Sequence, residues 1–409
     1  MATLATQLIE TEQQADWASL PPELLALVCR ALLVDLQAHG PCTLRDASRA
    51  MAALSPCSAW RRVALEEAAF SIRLGEWSEA HLASVPIREL TLPALLPKDP
   101  AASAAAFIKH TGRVLCSAAF RRRSGTSLEA LHSVPLQAVA AGQLLGWSAL
   151  RRLSINPDSL PDGGGASVPP FLPGAFPPSL QELDLPVPRH PFRLPGGLPQ
   201  QLDRLVLRCT GSDFIVGRHI VLGSGEAEAE QAATAAGAAE AAAAGTAGAA
   251  GEAAPPRWRR LEVHAGRAAV LDLDDLPLLA GVCSSLALHG PLVMVATSDP
   301  AHAALLVAPP VRSLDRCISQ YQQVLAPALA AAGIRQLTLV ASETSFYCKQ
   351  PGRRVVLDAT ALPPLGAQRA SAAVEGYAAS LTWPAASNDA AGPGTLLPTL
   401  CLSVARSAS

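Results

Sequence analysis

The sequence predicts an α/β protein in which a solenoid of stacked strand units follows a small all-α domain. Three observations carry the prediction. An apolar-x-x-Leu-x-apolar pattern returns along most of the chain. Before residue 75, apolar residues instead fall at helical spacing. Leu and Ala, not rings, supply the apolar half of the 409 residues: aromatics are 4%, which suits a thin core of stacked aliphatic side chains.

The first 16 residues carry Glu10, Glu12 and Asp16 and lack an apolar run, so residues 1–16 read as a flexible N-terminus without a secretory signal. Residues 17–74 read as helical. Leu20, Leu24, Leu27, Val28 and Leu32 share one helical stripe, with Pro21-Pro22 in the first turn and Ser19 as its cap. His39-Gly40-Pro41 breaks the pattern. A second helix is expected over residues 44–54 and a third over 58–70, with Trp60, Val63 and Ala64 inward.

Residues 75–222 and 257–409 read as the repeat array, the latter stretch ending in a C-terminal cap. Phe176-Pro-Pro-Ser-Leu180-Gln-Glu-Leu183-Asp-Leu185 is followed 22 residues later by Leu198-Pro-Gln-Gln-Leu202-Asp-Arg-Leu205-Val-Leu207, and the turns before them match too. So long a match at one offset marks a repeat. Ile87-Arg-Glu-Leu90-Thr-Leu92, Leu150-Arg-Arg-Leu153-Ser-Ile155, Trp258-Arg-Arg-Leu261-Glu-Val263, Cys283-Ser-Ser-Leu286-Ala-Leu288 and Ile334-Arg-Gln-Leu337-Thr-Leu339 are further copies. Leu397-Pro-Thr-Leu400-Cys-Leu402 closes the series, and Leu128-Glu-Ala-Leu131 and Val311-Arg-Ser-Leu314 are weaker members. Each copy is expected to form a short strand with its Leu residues inward. Residues 223–256 interrupt the array. They are almost wholly Ala, Gly and Glu, cannot offset their ordering entropy, and read as a disordered insertion.

Several functions are disfavoured. Net charge is −2, so no basic field draws the chain to nucleic acid. Residues 276–297 lack charge over a span long enough for a membrane helix, but Gly290-Pro291 would break that helix at its centre, so no membrane role is expected. The nine Cys are scattered without C-x-x-C spacing, which argues against a zinc site and fits reduced thiols in the cytoplasm or nucleus. Asp272, Asp274 and Asp275 lack a following calcium-loop pattern, and the nine His stand apart in sequence, so neither metal nor cofactor is expected. There is no nucleophile elbow, phosphate loop or H-E-x-x-H, so no catalytic residue is assigned and the chain reads as a non-enzyme.

Leu20-Pro21-Pro22-Glu23-Leu24-Leu25, Val28, Leu32, Leu54-Ser55 and Trp60-Arg61 together resemble an F-box. The polar segment between Leu32 and Leu44 is longer than that pattern has. The remainder resembles a leucine-rich-repeat horseshoe, and its Leu-Pro-x-x-Leu-x-x-Leu-x-Leu unit is similar to FNIP-type repeats, without the Asn that should follow Phe192. The resemblance implies a substrate-recognition adaptor of an SCF-type cullin–RING ubiquitin ligase. Leu20, Pro21, Leu24, Leu25, Val28 and Trp60 would then face a Skp-type adaptor. A leucine-rich-repeat scaffold with no ubiquitin role is the alternative.

The outward positions of the copies are the second expected site. Arg152, Glu182, Asp184, Arg204, Arg260, Glu262, Asp315 and Gln336 alternate in sign and are expected to form a concave row that binds an unidentified protein partner rather than a polyanion.

Overall fold

The computed structural model describes residues 21–37, 40–53, 61–64, 70–74, 82, 85–92, 100–157, 171, 175–187, 198–199, 202–209, 213–216, 220, 258–299, 314–349, 354–358, 369–370, 377–382 and 400–406. The 1–16 segment and the 223–256 insertion lie outside them. The chain divides into two compact units, Met1–Ala138 with Gln143–Leu153 and Pro177–Ser179, and Val139–Gly142 with Ser154–Phe176 and Leu180–Ser409.

The first unit opens with α1 (Pro22–Gln37), whose acidic Glu23 suits the positive end of the helix. Gly40 has φ 103°, a conformation that glycine adopts at little cost, and the helix does not continue past it. The chain leaves this turn extended as β1 (Cys42–Thr43), which pairs in parallel with β2 (Phe70–Arg73). Thr43 then caps α2 (Leu44–Ala53): its Oγ1 accepts from the Asp46 N–H and donates to the Asp46 carboxylate. Residues 61–64 are helical, but Phe70 belongs to a strand, not to the expected third helix. β3 (Ile87–Thr91) and β4 (Ala130–Val134) extend this parallel sheet. Between them run α3 (Pro100–Cys116) and α4 (Ala118–Ser124), the latter capped by Ser117 Oγ accepting from the Phe120 N–H. Phe120 packs on buried Trp147 with ring centroids 4.8 Å apart. α5 (Leu136–Ala140) and β5 (Arg152–Ile155) follow.

In the second unit, β6 (Glu182–Val187), β7 (Leu202–Cys209), β9 (Trp258–Ala265), the first half of β11 (Cys283–Thr297) and that of β12 (Gln336–Cys348) are successive parallel neighbours. The 22-residue offset reappears as register: Leu183 faces Leu205 and Leu185 faces Leu207. Leu261, Leu286 and Leu337 continue one row, and Val263, Leu288 and Leu339 the other. All ten of these side chains are completely buried.

A second ladder lies beyond the first. β8 (Phe214–Val216) pairs with β10 (Ala268–Asp272), which pairs with β11 from Leu292 onward. Thus β11 changes partner from β9 to β10 across Gly290-Pro291. Proline offers no N–H to a ladder, so the change falls where one bond is already missing. Residues 276–297 accordingly form a 3₁₀ turn (Leu276–Leu279) and a strand, not a membrane helix.

The last strands correct the expected fold. β13 (Arg354–Asp358) and β16 (Leu400–Arg406) both pair antiparallel to β12. β15 (Tyr377–Thr382) runs antiparallel to β16, and β14 (Arg369–Ala370) antiparallel to β15. The protein is dominated by mixed β-sheet, sixteen strands against six α-helices and one 3₁₀ helix among the described residues. It is not a leucine-rich-repeat horseshoe behind an all-α F-box-like domain. Two causes are visible. The segment expected to be all helical, residues 17–74, contains two strands, β1 and β2, which pair with each other. The connections into β13 and β15 are also short, and short connections join antiparallel strands, whereas parallel crossovers need a dozen residues or more. The copy at residues 311–314 fails as well: Leu314 opens α6 (Leu314–Ala331), whose Val324, Leu325 and Leu329 are buried.

Leu286 sits inside the inner row, flanked by Leu261 and Leu337, so Leu286→Ala is expected to cost about 2–5 kcal/mol through lost transfer and an incompletely collapsed cavity. Urea denaturation checks this. A wild-type midpoint would contradict the packing.

Candidate interaction site on the parallel sheet

The face opposite the buried leucines carries three cross-strand rows. The first runs Glu182, Arg204, Arg260, Ser285, Gln336. The second runs Asp184, Val206, Glu262, Ala287, Thr338, and the third Pro186, Arg208, His264, His289, Val340. These residues share a face because side chains alternate along a strand and the strands are in register.

Glu262 is the hub. Its side chain is only 3% exposed. Arg204 Nη2 donates to its Oε2 at 2.6 Å, and Arg260 Nε lies 2.6 Å from its Oε1. Burial would raise the Glu262 pKa, but the Arg204 hydrogen bond and charge, with Arg260 and His264, outweigh it and hold the carboxyl below its ordinary value. In return the hydrogen bond to Glu262 raises the Arg204 pKa against the opposing effect of burial. Arg204 also approaches Glu182 at 3.6 Å, while Arg208 Nε donates to both oxygens of Asp184 at 2.9 and 2.7 Å.

Beside this network His264 and His289 stack, with centroids 4.4 Å apart and ring planes 4° from parallel. His289 Nε2 is buried without a hydrogen-bond partner. His264 Nε2 has only a long polar contact, 3.5 Å to Glu262 Oε2. Burial lowers the pKa of both imidazoles, helped by the charge of Arg208 at His264 and by His264 at His289, and opposed at both by the Glu262 carboxylate.

The expected partner-binding residues divide accordingly. Glu182, Asp184, Arg204, Arg260, Glu262 and Gln336 lie on this one face. Arg152 opens β5 in the first unit's part of the chain. Asp315 is on α6 and leaves the row. Arg208, His264 and His289 are the members that sequence reasoning missed. Arg208 occupied an outward position just past the motif, while the two histidines meet only through the β9–β11 register.

The expected adaptor-facing residues also divide. Pro21 and Leu24 are exposed. Leu25 is 1% exposed, packs with Val63 and belongs to the core, with Val28 partly buried against the same pair. Leu20 and Trp60 lie outside the described residues. Leu24, Leu27 and Val34 are 47%, 58% and 72% exposed. With exposed Ala31 they make an apolar stripe at helical spacing.

The aspartates at 272 and 274 serve a different end. Lys349 Nζ donates to Asp272 at 2.9 and 2.7 Å and to Asp274 at 2.8 Å. Burial opposes it, but the Lys349 and Ser298 hydrogen bonds hold the Asp274 pKa down. A depressed carboxylate contributes stability above its unfolded pKa and loses it as pH falls through the folded one. Lys349→Met is therefore expected to lower the thermal midpoint at pH 7, with the gap to wild type closing below about pH 4. A gap that is constant with pH would exclude the ion pair as its cause.

Among the described residues no helix is long and apolar enough to cross a membrane. No protein-family model, curated protein or solved structure matches the chain.

Proposed function

We propose that this protein is a non-enzymatic protein-interaction subunit that works in the cytoplasm or nucleus as the substrate-recognition adaptor of an SCF-type cullin–RING ubiquitin ligase. In this reading α1 docks on a Skp-type adaptor and the charged face of the second unit holds the target protein. The observation that carries it is the exposed stripe of Leu24, Leu27, Ala31 and Val34. A helix that leaves large aliphatic groups in water on one side, while Leu25 anchors its other side to the core, is suited to laying that stripe in an apolar groove. The F-box-like residues around Leu20-Pro21 give the choice of occupant. On the sheet, alternating charge suits a partner protein by electrostatic complementarity rather than a polyanion. Holding a target beside the ubiquitin carrier would act by effective concentration.

The second reading is an interaction scaffold with no ubiquitin role. It is favoured by the strand β1 that stands inside the F-box-like segment. The two readings part on one experiment. Full-length protein should capture a purified Skp-type adaptor, and the double variant Leu24→Asp, Leu27→Asp should lose at least tenfold in affinity while keeping its circular dichroism. Absence of capture by the wild-type chain sinks the adaptor reading and leaves the scaffold.

A further inference from the structure

We propose that Glu262, His264 and His289 form a binding site for a first-row divalent metal ion of the zinc class. The strand register builds it. His264 of β9 and His289 of β11 are direct cross-strand partners. Glu262 stands two residues before His264, on the same face. One ligand atom from each of the three lies within 4.8 Å of the others.

Two features favour a metal over ordinary packing. First, His289 Nε2 is buried without a hydrogen-bond partner, which is costly for a ring nitrogen unless something else meets it, and His264 Nε2 has only a long contact of 3.5 Å to Glu262. Second, the carboxylate is already oriented: Arg204 and Arg260 each take one lone pair of Glu262, as outer partners of a ligating carboxylate do, and each oxygen keeps a second lone pair. Bonds of about 2.0–2.1 Å to nitrogen and oxygen imply ligand–ligand edges of roughly 3.4 Å in a tetrahedron. The His264–Glu262 edge is 3.5 Å. A separation of 4.8 Å must close by about 1.4 Å, which requires the two stacked rings to tilt out of their parallel arrangement. Imidazole with carboxylate selects zinc, copper, nickel or cobalt over magnesium or calcium. Three protein ligands leave the fourth position to water or to a side chain of a bound partner. The arginines around Glu262 weaken attraction for a cation, so binding in the micromolar range is expected.

The test uses the full chain, stripped with chelator and titrated with Zn²⁺ and separately with Co²⁺. One equivalent should bind, and the Co²⁺ spectrum should lack a thiolate charge-transfer band. The double variant His264→Phe, His289→Phe keeps two rings and removes all four nitrogens. It should bind at least tenfold more weakly, since loss of even an outer partner of a ligand costs about 10–100-fold. No saturable binding, a thiolate band, or unchanged affinity in the double variant would overturn the proposal. If that variant does not fold, electron paramagnetic resonance of the Cu²⁺-loaded wild type decides. Two equatorial nitrogens support the site, and none or one excludes it.

Discussion

In a strand the side-chain period is two, so a slip of one residue in any of β6, β7, β9, β11 or β12 would carry its leucines from the core to the outer face. That constraint organises the second unit. Leu183, Leu205, Leu261, Leu286 and Leu337 form one inner row and Leu185, Leu207, Val263, Leu288 and Leu339 the next, each buried against its neighbours. Once the inner rows are fixed, the outer rows have no freedom. Glu262 falls between Arg204 and Arg260, and His264 beside His289, because the leucines on the other side leave no alternative pairing.

Each outer row then resolves its own electrostatics. Placing Arg204 opposite Arg260 in one row would be repulsive, but Glu262 in the next row lies within 2.6 Å of both. The carboxylate is buried, and a buried charge is tolerable only when it is paired and hydrogen-bonded. The histidine pair stands at the end of that network, where the face grades from satisfied charge at Glu262 to an unsatisfied ring nitrogen at His289.

Much of the inner face was legible in the sequence. The alternation in Leu-x-x-Leu-x-Leu marks the inward positions, and the 22-residue match between residues 176–185 and 198–207 fixes the β6–β7 register. Strand direction was not legible at the C-terminal end. Leu402 and Val404 alternate inward whether β16 runs with β12 or against it, and it runs against. The second ladder was hidden by its own punctuation: Gly290-Pro291 reads as a break, yet the strand passes through it and exchanges partners. Asp315 was misplaced because the 311–314 copy lacks its third apolar residue, where Arg316 stands, and helix won. The histidines were invisible as a pair because 25 residues separate them and only pairing of β9 with β11 unites them.

The leucine register sets which outer residues meet, and a double-mutant cycle between Arg204 and Glu262, 58 residues apart in sequence, reads that register directly. Arg204→Ala, Glu262→Ala and the double variant, compared by urea denaturation, isolate the pairwise energy. A favourable coupling of about 1–3 kcal/mol is expected, as for a hydrogen bond between charged groups with one partner buried. Strictly additive effects would mean that β7 and β9 do not meet in this register, and would contradict it.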